Sequence, residues 1–169
     1  MRRRTFLTVG IAGAATLAAA GWFASALRPR SGTRALDDDA RAIVAAIVPA
    51  MLHGALPDRL PERDTALAET VDNVDRAIQG LPPASRAELG QLFALLSLTA
   101  ARRAFAGVAS PWTEAPRDEV DAFLQAWRTS GWALKRSAYD ALHQIIFAAW
   151  YGNPRAWSRI GYPGPPRLG

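Results

Sequence analysis

His53 and His143 are the only histidines in the chain, and neither has a second metal-ligating residue three or four positions further on. A single-histidine haem or metal site assembled across helices is the one cofactor chemistry such an arrangement allows. His143 falls beside an apolar stripe, where a hydrogen-bonded boundary histidine is the simpler expectation. Asp37-Asp38-Asp39 offers three carboxylates in a row. Consecutive acids point in different directions on a helix, so they suit its positive N-terminus better than a metal ion. Glu69, Asp72, Asp75 and Arg76 share one polar helix face, the ordinary pattern of a solvated surface. The chain has no cysteine, which removes disulfides, thiolate metal sites and cysteine nucleophiles together. It contains no Glu-x-x-His, G-x-S-x-G, phosphate-binding loop or dinucleotide fingerprint. These residues give no reason to expect catalysis.

The aromatic residues are the more pointed signal. Trp150-Tyr151-Gly152-Asn153-Pro154 is followed by Trp157 and then by Gly161-Tyr162-Pro163-Gly164-Pro165-Pro166. Prolines remove backbone donors and fix φ, so residues 152–169 are expected to form an extended arm carrying large rings. Two uses stand open for Trp150, Tyr151, Trp157, Tyr162, Pro163, Gly164 and Pro165. The arm could close over its own bundle, or it could dock on another protein, since proline-rich extended segments lose little entropy on binding. Trp112, Trp132, Trp150 and Trp157 all fall in loops, at helix ends or in this arm. At least one of the four is expected to be exposed for a partner, because tryptophan is enriched among interface anchors.

The elements that position these residues are helical. Half of the 169 residues are hydrophobic, enough to bury a core without crosslinks. The spacing predicts an all-α bundle of about five helices over residues 37–151, preceded by a linker at 28–36. Ile43, Val44, Ile47, Val48 and Met51 form the first stripe, which Pro49 should kink or end early. Asp64 is the expected cap of a second helix bearing Leu67, Val71, Val74, Ile78 and Leu81. Ser85 and Glu88 have the spacing of a capping box opening a third, with Leu89, Leu92, Phe93 and Leu96 inward, running as far as about Gly107. Thr113 is the expected cap of the fourth, in which Val120, Phe123, Leu124 and Trp127 fall at i, i+3, i+4 and i+7. The fifth starts near Trp132, carries Tyr139, Leu142, Ile146 and Ala149, and should end near Tyr151 or Gly152.

The first residues have a different character. Arg3-Arg4-Thr5-Phe6-Leu7 precedes an uncharged run from Phe6 to Leu27, a pattern that resembles a twin-arginine (Tat) translocation signal over residues 1–27. Arg3, Arg4, Phe6 and Leu7 carry the motif, and Ala24-Ser25-Ala26 offers cleavage after Ala26. Left uncleaved, the run is about the roughly 20 residues a bilayer requires. It would then anchor the domain to the outer face of the inner membrane, with the arginines cytoplasmic. The six arginines at positions 2, 3, 4, 28, 30 and 34 lie in or just after this region, and without them the formal charge of +5 becomes −1. The remainder has no basic nucleic-acid face.

Together these segments resemble the gluconate 2-dehydrogenase subunit 3-like proteins, small accessory subunits of flavin-dependent periplasmic dehydrogenases of the sorbitol, fructose and glucose type. The resemblance rests on the leader, the opening helix Ala40–Pro49, the Leu92–Leu96 segment and above all on the aromatic, proline-rich end from Ala149 to Pro165. It implies a non-catalytic small subunit with no cofactor of its own. Such a subunit would bind a glucose-methanol-choline-type large subunit holding FAD and carry it, folded, through the Tat translocase to the periplasm. In several such systems a multihaem cytochrome c subunit accepts the electrons. Two alternatives remain at this level: a signal-anchored tether of a periplasmic complex, and a small periplasmic haem- or metal-binding helical protein.

Overall fold

The computed structural model describes residues 34–157 together with 161 and 163; the leader residues Arg3, Arg4, Phe6, Leu7, Ala24 and Ala26 lie outside them, as do Tyr162, Gly164 and Pro165. Every regular element among the described residues is helical, so the all-α expectation holds. No helix among them is long and apolar enough to cross a membrane.

The centre is α1, Asp38–Met51. Asp37 caps it in extended conformation, its Oδ1 accepting from the Ala40 N–H at 2.9 Å, while Asp38 and Asp39 occupy the first turn. The three aspartates thus serve the orphan donors and the dipole of a helix N-terminus. Ile43, Val44, Ile47 and Val48 are wholly buried, each worth about 1.5–3 kcal/mol in apolar transfer. They can be buried because α1 packs on α2 (Leu60–Gln79), α3 (Pro83–Ser97), α5 (Arg117–Arg128) and α6 (Ala133–Tyr151) at once. Pro49 sits inside the last turn, and the helix ends two residues beyond it.

Three helix starts differ from the capping expectation. Helix α2 begins four residues before Asp64, with Arg59 at the N-cap and proline in the first turn; α3 begins at Pro83, placing Ser85 inside the helix. Proline at the first positions loses no helical hydrogen bond and arrives with its φ already set, so it outcompetes a side-chain cap. The fourth helix likewise begins at Arg117 after Pro116 rather than at Thr113.

Asp75 corrects the expected polar face of α2. It is 6 % exposed, accepting the Leu36 N–H at 2.7 Å through Oδ1 and the Gln79 amide at 2.8 Å through Oδ2. Leu36, itself 2 % exposed, is the core residue of the preceding linker. One buried carboxylate therefore satisfies a buried backbone donor that no helix could serve.

Beyond α3 the backbone opens at Leu98 (ψ 124°), and the short helix α4, Thr99–Ala101, runs into a π-helical turn at Arg102–Ala106. Gly107 closes that turn with φ 77°, where a side chain would be strained. The expected run through to Gly107 is thus two segments. The Trp112 indole reaches back to the Leu96 carbonyl at 2.8 Å, taking up an acceptor left open at the break. Trp112, Phe123, Trp127 and Phe105 then form an edge-to-face series with centroids 5.8, 4.7 and 5.2 Å apart.

The half-buried Glu119 binds this loop to α5 by accepting the Ala109 N–H. That bond is the main cause holding its carboxyl below the usual range; Ser110 and the Arg102 charge add to it, and together they outweigh desolvation. A folded value below the unfolded one means stability that is complete above the usual glutamate range and lost as the pH falls through it. Glu119→Gln should lower Tm at neutral pH and flatten its decline on acidification. An unchanged acid limb in a melting series from pH 7 to pH 3 would remove Glu119 from that role.

Candidate partner-binding face

Helix α6 places its apolar residues Leu142, Ile145, Ile146, Ala149 and Trp150 in the core. Trp150, expected among the arm's docking rings, is only 4 % exposed. Its position one turn after Ile146 puts it on the inward side, so most of its ring is core rather than outer face. Tyr151, the next residue, is 37 % exposed.

A second stripe runs along the flank of α6. Tyr139, His143, Phe147 and Tyr151 recur every four residues, which superposes side chains on one helix face. Their ring centroids are 5.9, 4.0 and 5.8 Å apart, and the His143 and Phe147 planes are 20° from parallel. Tyr139, His143 and Phe147 are each half-buried. His143 is thus the boundary residue its position suggested, but among the described residues it is held as a rung in a ring stack rather than by a hydrogen bond. The sequence carries the same four-residue spacing, which the stronger Leu142–Ile146–Ala149 stripe beside it obscures. His53 is exposed in the turn after α1, and the described residues contain no group of three His, Cys, Asp or Glu that could hold a metal ion.

Beyond Asp140, which is exposed beside Tyr139, the face next to this stripe is without charge. From Ala141 to Pro154 the sequence has no Asp, Glu, Lys or Arg. Gln144 and Ala148, exposed and one turn apart, stand three residues before Phe147 and Tyr151 respectively. At the other end of the helix Trp132 and Leu134 are 66 % and 67 % exposed. Lys135 lies over the Phe105 and Trp132 rings, at 4.8 and 5.7 Å from their centroids. Of the four tryptophans outside the core stripe, Trp132 is the exposed one, while Trp112 is buried and Trp157 half-buried.

The start of the arm is not extended. Helix α7, Pro154–Trp157, is a single turn whose proline occupies the first position and whose Arg155 N–H is taken by Asn153 Oδ1 at 3.1 Å. The same Asn-Pro pair that ends α6 thus opens another turn, because proline's fixed φ suits a helix start. Gly152 permits the change of direction: a Cβ there would lie 2.8 Å from the Ala148 carbonyl. Trp157 donates its indole N–H to the Tyr151 carbonyl at 2.7 Å, bracing the backbone behind the last rung. Pro163 is exposed. Tyr151, Trp157 and the aromatic flank of α6 therefore converge at one end of the helix, while Trp150 turns away from them.

A depleted charge density with concentrated aromatic area is the composition of an interface core. No family model matches the chain, and neither a curated protein nor a solved structure shows significant similarity to it.

Proposed function

We propose that this chain is a non-catalytic accessory subunit that binds a larger protein through the outer face of α6 and takes it, already folded, through the Tat pathway to the periplasm. The observation carrying the docking half of the proposal is the uncharged stretch from Ala141 to Pro154, with Phe147, Tyr151, Gln144 and Ala148 on its outward side. Such a face gains from removal of water and carries no charge whose burial would oppose it. The export half rests on Arg3-Arg4-Thr5-Phe6-Leu7 and the uncharged run behind it. The resemblance of the leader and of the Ala149–Pro165 region to dehydrogenase small subunits names the cargo: a glucose-methanol-choline-type flavoprotein holding FAD, with a multihaem cytochrome c as a further member of the complex.

The test is co-purification of the tagged full chain from its native host, with mass spectrometry and a flavin absorbance scan. A stoichiometric FAD-containing oxidoreductase is the expected result. Arg3→Lys with Arg4→Lys should leave both proteins in the cytoplasm, measured as dehydrogenase activity in periplasmic and cytoplasmic fractions. Export of active dehydrogenase by the double variant would overturn the carrier role.

A further inference from the structure

Among the described residues, a cleft lies apart from the proposed cargo-binding face. Where the beginning of α2 meets α7, Pro57, Pro61, Ala66 and Trp150 line a cleft of about 400 Å³, with Glu62, Glu69 and Arg155 among its polar residues. Its apolar and charged parts are both supplied by local rules. Pro61 sits in the first turn of α2 and Pro57 in the loop before it, Trp150 extends from the core stripe of α6, and Glu62 and Glu69 are seven residues apart, hence two turns apart on one helix face.

We propose that this cleft holds a basic side chain, an arginine or a lysine, presented by a partner polypeptide. Three observations point to that chemistry. First, the chain already places a guanidinium there: Arg155 Nη1 lies 3.2 Å from Glu69 Oε1, while Glu62 makes no ion pair with a described residue. Among the described residues the cleft thus has two carboxylates to one cation. Secondly, Arg155 is 69 % exposed in its side chain, so it can yield Glu69 to an incoming cation at small cost. Thirdly, the indole N–H groups of Trp112, Trp127 and Trp157 each donate to a backbone carbonyl. No described residue accepts from Trp150, although it is 4 % exposed. A partner's backbone carbonyl would complete it, while the aliphatic stem of the basic side chain lies on Pro57, Pro61 and Ala66. Such a pocket, apolar with a few convergent polar groups, orients one side chain. The inference rests on the accessory-subunit reading only for the identity of the polypeptide.

The experiment titrates the 15N-labelled full chain with N-acetyl-arginine amide, following the Trp150 indole resonance. N-acetyl-norleucine amide and N-acetyl-glutamate amide are the controls. A saturable shift with the arginine probe alone is expected, and Glu62→Gln should weaken it about three- to fivefold, as for a partly exposed ion pair. Arg155→Ala, which frees Glu69, should tighten it. An equal response to the norleucine or glutamate probe, a non-saturating shift, or an unaltered affinity in Glu62→Gln would overturn the assignment. Failure of the titration while the flavoprotein still co-purifies removes the cleft and leaves the accessory role. A saturable titration with no flavoprotein recovered does the reverse.

Discussion

Trp127→Ala is expected to destabilise the protein by about 3–5 kcal/mol, the range for removing a large buried ring. The ring has no exposed surface, and it is the middle of the series that joins Phe105 to Phe123 at 5.2 and 4.7 Å. Its indole N–H also donates to the Phe105 carbonyl at 3.2 Å in the π turn. Truncation would leave a cavity and an unpaired acceptor together, and these losses add. Against a typical stability of about 5–15 kcal/mol, the loss is a large part of the whole. Urea denaturation followed by circular dichroism measures it. Trp132→Ala is the internal comparison: that ring is 66 % exposed, and its loss should change stability by no more than about 0.5 kcal/mol. Two variants of equal stability would mean that the edge-to-face series is not the pillar between the π turn and α5.

The second large effect is on binding. Gln144→Glu with Ala148→Glu puts two negative charges into the uncharged outer face of α6 at exposed positions. The glutamates would repel each other and Asp140 and oppose the negative end of α6, so folding should lose about 1 kcal/mol. Burying those charges unpaired in an interface should cost at least about 3 kcal/mol, or a hundredfold or more in affinity. The readout is retention of the flavoprotein in the co-purification, alongside the melting temperature of the free subunit. Undiminished retention would place the docking surface elsewhere. A matching drop in melting temperature would show that the two positions serve the fold.

The core was legible where apolar periodicity alone decides burial. Ile43, Val44, Ile47 and Val48 in α1 and Val120, Phe123, Leu124 and Trp127 in α5 are buried as their spacing predicts. Local chemistry was harder to weigh when two signals competed. Ser85–Glu88 and Asp64 look like caps, yet each lies inside a helix that proline has already started. Asp75 could not be assigned from its own helix at all. It is polar and falls beside Asp72 and Arg76, and its burial depends on Leu36, thirty-nine residues away in sequence. The same limit applies to Trp150 and Tyr151. They are adjacent and both aromatic, and only the placement of α2 against α6 sends one inward and leaves the other outside. The stack of Tyr139, His143, Phe147 and Tyr151 required no such knowledge; its strict four-residue recurrence was there to be counted.

The Leu36–Asp75 bond has a mechanical consequence. Any pull applied through residues before Arg34 enters the domain at Leu36, whose backbone is held by a carboxylate from the middle of α2 and whose side chain is locked in the core. Tension would then be shared with a 20-residue helix before it reaches the capped end of α1. A domain towed by its leader would carry part of the load on α2, which also packs against α6, the helix that bears the uncharged face. The tow line and the cargo hook would be joined through two packed helices, so hauling on one need not loosen the other.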